Sequence, residues 1–336
     1  MKTLTLVLLP ALAVPGLVSA QDEATTLARL VDRSDHVATV RPLSIGTVEA
    51  ELRSIRFVVT RTLKGAPGSE ITLAEPAMHG CGRALYGVIP GVVYLAFLVD
   101  REAGVRLTAS SARALLTVEP GLVPHVAALI ATPSGAPRTN TLSRAFDSSS
   151  PRVRVDAALA LAIAPGLDQV DTTGRGACVN ALSRALNGAS QELLPLLTVA
   201  RRMHLSEAVP DLVTAALDTP RGDWRKLFAS SAAEADPEVA SAFLAANLPR
   251  DAAGRDRAMV VLSHLEVAGS EPALRALLAS EHRRHVVFAT TMLMRLGSST
   301  KDLEPAVPPD VLLEAERAKA APGRPSFRNL RPERAR

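Results

Sequence analysis

Val209-Pro210-Asp211-Leu212-Val213-Thr214-Ala215-Ala216-Leu217 puts its apolar residues three or four positions apart, the spacing of one face of a helix. Ile55-Arg56-Phe57-Val58-Val59 is built differently, with Ile55, Phe57 and Val59 on one side and Arg56 on the other, as in a strand wet on one face. Working outward from these two stretches, the rhythm changes once, near Pro120, and the helical spacing then persists to about Gly297. The chain is therefore expected to be α+β in two domains, strands first and helices after.

Helix starts are legible in the second half. Ser150-Pro151, Asp236-Pro237 and Ser270-Glu271-Pro272 each set a capping side chain just before a first-turn proline, and Ser206 precedes Glu207 and Pro210 in the same way. From Ser206 to Asp236 is 30 residues, and from Asp236 to Ser270 is 34. In each unit an apolar helix (Val209 to Leu217, Val239 to Leu248, Leu274 to Leu278) leads through a polar turn to a second helix that opens with Arg225-Lys226, Arg255 with Arg257, or Arg283-Arg284. Val153 to Ala164 and Cys178 to Leu186 read as diverged copies. This pattern resembles HEAT-like repeats and implies an α-helical array over residues 120–300, the alternative being an irregular helical bundle.

In the first half, Leu27, Leu30 and Val31 predict a short helix before strands at His36 to Val40, Gly46 to Leu52, Ile55 to Leu63, Ile71 to Ala74, Val92 to Val99 and Val105 to Thr108. Turns are marked by Gly65-Ala66-Pro67-Gly68 and Pro90-Gly91. Val92 to Val99 is apolar throughout and is expected in the middle of the sheet.

Phe57-Val58-Val59 leading to Leu63-Lys64-Gly65, then Cys81-Gly82, then Gly91 with Tyr94-Leu95-Ala96-Phe97-Leu98, resemble the netrin-like (TIMP-like) domains. The resemblance implies a small OB-type β-barrel over residues 21–119. In the inhibitor members it would also imply a cysteine at the mature N-terminus that chelates a protease zinc. Gln21 stands there instead, with no Cys between 21 and 80, so inhibition of that kind is not carried over.

Residues 1–20 carry Lys2, an apolar run from Leu4 to Val18, and Val18-Ser19-Ala20, which together predict a secretory signal cleaved after Ala20. Pro10 and Pro15 break that run, so it is not expected to span a membrane, and nothing later is long enough to do so. A mature chain from Gln21 suits two domains of about 150 residues each. Residues 301–336 are expected to form a terminal helix and a basic, Pro-rich tail. From 317 onward the tail holds seven Arg or Lys against Glu333 alone, while residues 21–316 hold 30 basic and 33 acidic residues. The high pI thus belongs to the tail, which is expected to be disordered at its end and to make weak contact with anionic surfaces, and nucleic acid is not an expected partner.

Little in the chain points to chemistry. Aromatic residues make up only 3%, which disfavours a large ligand pocket. Gly-x-Ser-x-Gly and His-Glu-x-x-His are both missing. His79-Gly80-Cys81 offers two ligands, and His282-Arg283-Arg284-His285 sets two histidines around two cations, so no metal or cofactor is expected. Cys81 and Cys178 are the only cysteines; a bridge between them would close a loop of roughly 100 residues, worth up to about 4 kcal/mol. The alternative for Cys178 is a small buried apolar side chain.

Trp224, Arg225, Arg257 and Arg284, at the openings of second helices, are the candidates for contacting a partner, unless the arginines are simply solvated and the tryptophan closes the repeat core. The expectation is a periplasmic or secreted, non-catalytic protein-interaction or scaffold protein. Its alternatives are a regulatory or inhibitory module for an exported enzyme, or a hydrolase with a dispersed site at the domain junction.

Overall fold

The computed structural model describes residues 26–49, 52–76, 88–102, 104–109, 111–188, 190–265 and 268–320. The signal segment, His79, Cys81 and the tail from 321 lie outside them. The contacts divide the chain into two compact units, Met1–Gly166 and Leu167–Arg336.

Unit 1 begins with helix α1 (Leu27–Arg33), capped by Thr26 and burying Leu27, Leu30 and Val31. Strands β1 (His36–Glu49), β2 (Leu52–Lys64), β3 (Glu70–Pro76), β4 (Tyr94–Arg101) and β5 (Gly104–Leu107) follow in the sheet order β3-β2-β1-β4-β5, all neighbouring pairs antiparallel. The edge strands β3 and β5 touch, so the sheet nearly closes into a small barrel, an arrangement of the OB type. Ala38, Val40, Ile55, Phe57, Ile71, Leu73, Tyr94, Ala96 and Leu98 fill it. As the alternation requires, Arg56 points outward, where it meets Glu70 at 2.6 Å.

Leu52 opens β2, while the expected strand His36 to Val40 and the first part of the expected strand Gly46 to Leu52 are joined in β1. Pro42 is tolerated inside it because β4 pairs only with His36 to Val40, and register shifts between Pro42 and Ser44 bend the strand away. After the four-residue helix α2 (Ser111–Ala114), a short strand β6 (Leu115–Thr117) pairs with β4. Three residues carry too little alternation for the sequence to reveal it.

The Lys64-Gly65 pair has a clear physical role. Lys64 Nζ donates to the carbonyls of Val31 (2.8 Å) and Ser34 (2.6 Å), acceptors that the end of α1 leaves unmatched. Gly65 turns at φ 69°, where a Cβ would collide with the His36 ring and the Asp35 carbonyl.

The unit boundary at Gly166 is not where the apolar rhythm changes. Helices α3 (Leu122–Ala131), α4 (Ala136–Arg144) and α5 (Pro151–Ile163) belong to the same unit as the sheet. α1 is what gathers them: it packs on α3 and α5, the Leu27 N–H donates to Asp156 Oδ1 at 2.8 Å, and Asp32 meets Arg138 at 3.2 Å.

Unit 2 is helical throughout, with α6 (Thr172–Leu186), α7 (Leu193–Arg202), α8 (Val209–Asp218), α9 (Gly222–Ala235), α10 (Pro237–Ala246), α11 (Ala252–Leu262), α12 (Glu271–Leu278), α13 (Arg283–Arg295), α14 (Thr300–Leu303) and α15 (Pro309–Ala320). Their principal contacts reach no further than three helices along the chain. Leu212, Val213, Ala216, Leu244, Leu274 and Leu277 form the apolar stripes, and α13 is buried from His285 to Met294. The caps Ser150 and Asp236 accept the N–H groups of Val153 and Val239. Ser270 instead bonds the Ser241 hydroxyl at 2.9 Å, and its helix starts without a side-chain cap. Among the described residues no helix is long and apolar enough to cross a membrane.

Candidate functional site

The arginines that open second helices do two different jobs. In the first, the side chain reaches back to a carbonyl six residues earlier, at the end of the preceding helical segment. Arg138 donates to Thr132 O (2.8 Å), Arg154 to Ser148 O (2.9 Å), Arg225 to Thr219 O (2.7 Å) and Arg255 to Pro249 O (3.2 Å). Thr132 and Thr219 are C-caps, whose carbonyls no helix hydrogen bond can reach. A guanidinium there supplies the missing donor and locks the turn, which accounts for cations in a first turn where the helix dipole opposes them. The recurring six-residue spacing from turn carbonyl to arginine is the sequence signal of this lock.

In the second job, arginines tie one helix to another. Arg283 forks between Asp310 (2.5 Å) and Glu314 (3.0 Å) on α15, Arg284 pairs with Asp256 on α11, and Arg201 reaches Glu234 at 3.6 Å. Arg284, expected to face a partner, is thus engaged within the fold.

Arg225 and Arg257 fit neither job completely. They lie on α9 and α11, which pack together, and the Nε of each is buried without a hydrogen-bond partner among the described residues. Burial lowers the affinity of Arg225 for its proton, and the nearby charge of Arg257 lowers it further. Next to Arg225 along α9, Trp224 is half-buried, its ring tilted 39° against Phe228 with centroids 5.6 Å apart, and the Arg221 guanidinium sits 5.8 Å from the Trp224 ring centroid. Of the four expected contact residues, the structure therefore brings Arg225 and Arg257 together, with Trp224 next to Arg225 along α9, and pairs Arg284 with Asp256, the residue before Arg257.

His285 lies at the centre of a polar network. Its Nε2 is 2.9 Å from Asp256 Oδ1 and its Nδ1 is 2.7 Å from Ser280 Oγ. Since a carboxylate only accepts, the ring proton is on Nε2 and the Ser280 hydroxyl donates to Nδ1. That is the order of a hydrolytic relay, yet His285 is 0% exposed, Ser280 is 9% exposed, and Ser280 Oγ also accepts the His282 N–H. The network joins the start of α13 to α11. Burial lowers the His285 pKa, with Asp256 opposing. Both ring nitrogens are taken, so His285 is not available as a ligand, and among the described residues no group of three His, Cys, Asp or Glu could hold a metal ion.

Unit 1 contains the opposite situation. Asp156 is half-buried on α5 with its carboxylate turned inward; its Oδ1 accepts from Leu27, but the enclosed Oδ2 is without a partner among the described residues, and desolvation pushes its pKa up to about 7. On α3, His125 buries an equally unmatched Nε2, and burial lowers its pKa to about 4. Cys178 on α6 is 1% exposed, its thiol pushed up to about 12 by burial against the pull of Arg175.

A cavity of about 440 Å³ is lined by Thr198, Arg201, Arg202, His204 and Glu234. His204 takes φ 48°, the left-handed region, where it closes α7: Leu205 N–H donates to Ala200 O and His204 N–H to Arg201 O. Gly297 closes α13 with the same pair of bonds, Ser298 to Leu293 and Gly297 to Met294.

No family model matches the chain, and no curated protein does. Among solved structures, computationally designed armadillo repeat proteins for modular peptide recognition align at 18% identity and a TM-score of 0.26, over 48% of this chain and 82% of that one. At that TM-score nothing about the present chain is drawn from the likeness.

Proposed function

We propose that this chain is an exported bacterial protein, periplasmic or secreted after cleavage behind Ala20, that acts without catalysis as a protein-interaction or scaffold module. In this reading the sheet is a netrin-like domain of OB type and the helices of unit 2 are HEAT-like hairpins. One observation carries it: helices α6 to α13 pack mainly on near neighbours in sequence, the contact pattern of a helical array. Such an array offers a partner an extended surface. The reading is also supported by the enclosure of Ser280 and His285, the residues arranged most like a reactive pair.

Cross-linking in the native compartment, followed by identification of the cross-linked species, tests the proposal. The expected result is one defined protein recovered with the full-length chain. Recovery of fragments of the chain alone would sink it.

A further inference from the structure

We propose that Arg225 and Arg257, flanked by Trp224 and Arg221, form a carboxylate-binding surface for an acidic segment of a partner protein. The inference rests on the interaction reading above and specifies the chemistry of the partner.

The argument starts from an imbalance. Several guanidinium groups elsewhere along unit 2 face counter-charges: Arg283 has Asp310 and Glu314, Arg284 has Asp256, Arg201 has Glu234, and Arg175 has Glu207 at 3.8 Å with two backbone carbonyls besides. At the α9–α11 contact two like charges are brought together, and no carboxylate of the described residues forms an ion pair with either. The acid on which the Arg257 charge acts is Asp251, and Asp251 Oδ1 is occupied by the Gly254 N–H at 2.7 Å. Arg225 uses one Nη on Thr219 O, which fixes the side chain and leaves its Nε and other Nη without a partner among the described residues. Two clustered cations are unfavourable by themselves; their Nε atoms are enclosed, but their unmatched Nη groups are not, and an anion arriving from solvent meets those and offsets the repulsion.

The shape of the donors selects the anion. Guanidinium forks match the two oxygens of a carboxylate, and a fork held by its own turn loses little freedom on binding. The half-exposed Trp224 ring supplies apolar area at its uncovered edge for the stem of a Glu side chain, and Arg221 over its ring adds a third positive group. The cluster therefore combines charge with an aromatic contact, which fits an acidic polypeptide better than a bare ion.

Trp224 is the single tryptophan of the chain, so its emission reports on this surface alone. The test titrates the full-length chain with a fluorescein-labelled dodecapeptide of alternating Glu and Ala and with its Gln counterpart, reading anisotropy and tryptophan emission together. The expected result is saturable binding of the Glu peptide with a coincident change in Trp224 emission, weakening at least about tenfold for the Gln peptide, and steeply reduced by added salt. R257Q removes no internal hydrogen bond among the described residues, and an unchanged melting temperature separates its effect from folding; it should weaken binding by about tenfold, R225Q/R257Q further, and Lys301→Gln not at all.

Equal affinity for both peptides, or an unchanged curve for R257Q, would overturn the proposal. So would phosphatidylglycerol vesicles or a single-stranded oligonucleotide outcompeting the Glu peptide through the same arginines, since the ligand would then be a phosphate. Peptide binding without any cross-linked partner would count against the scaffold reading alone, and a cross-linked partner that R225Q/R257Q still retains would count against this surface alone.

Discussion

The two buried histidines show how differently the two units treat polar groups in their interiors. In unit 2, His285 has a partner for each nitrogen and connects α11 to α13. In unit 1, His125 is nearly as buried but keeps Nε2 unmatched among the described residues, and Asp156, on α5, keeps Oδ2 unmatched. Burial is alike in both cases. What differs is completion, and completion decides whether a buried polar group holds the fold together or burdens it.

The largest effect is expected where the network is complete. His285→Leu leaves Ser280 Oγ and Asp256 Oδ1 without their partner, and calorimetry of the full chain should show a loss of about 3 kcal/mol. A loss below about 1 kcal/mol would remove the contrast.

Asp156 should behave in the opposite sense and in a pH-dependent way. Its folded pKa of about 7 lies above the ordinary 3.8, so its contribution is most favourable below about pH 4 and is lost as pH rises through 7. Asp156→Asn keeps an acceptor for Leu27 and cannot ionise. It should gain about 2 kcal/mol at pH 8 and nothing at pH 4, measured by thermal unfolding at the two pH values. A pH-independent difference would show that ionisation is not the cause.

His125 works against this within the same unit. Its folded pKa of about 4 lies below 6.5, so its contribution is present above pH 6.5 and is lost as pH falls toward 4. His125→Leu should therefore stabilise the chain at pH 5 by about 2 kcal/mol and by less at pH 7, with the acid-side slope of the melting temperature reduced. The wild-type curve between pH 5 and 8 should be flatter than that of either variant, because the two slopes oppose each other.

The smallest effect concerns two helix ends with the same geometry. His204 and Gly297 close α7 and α13 through equivalent bonds, but only Gly297 is without a Cβ in the left-handed region. His204→Gly should raise stability by about 0.5–1 kcal/mol. If it lowers stability instead, the His204 side chain contributes more at the cavity it lines than the backbone conformation costs.

Much of this was legible in the chain. The period-two run at Ile55 to Val59 and the period-four run at Val209 to Leu217 each appear where expected, because a half-buried element must repeat its apolar side at its own pitch. Ser150 and Asp236 cap their helices as their prolines announced. Others were hidden for equally physical reasons. β6 is too short to alternate, β1 runs through Pro42 only because its neighbour strand ends first, and α3 to α5 join unit 1 through contacts made by α1, far away in sequence. At the candidate site, the basic openings were visible, but not which arginines have partners: Arg225 and Arg284 look alike in the sequence, and Asp256 decides between them.

Local pattern, then, determined the elements of this protein: where strands give way to helices, where helices begin, and which faces are apolar. Those features depend on residues within a turn or two of each other, and the chain records them directly. Only the tertiary structure decided which charges are answered, because ion pairs and buried hydrogen bonds join residues about 30 positions apart, as from Asp256 to Arg284, and no local period encodes that distance. The unanswered pair, Arg225 and Arg257, became visible as a pair only once α9 and α11 were packed side by side.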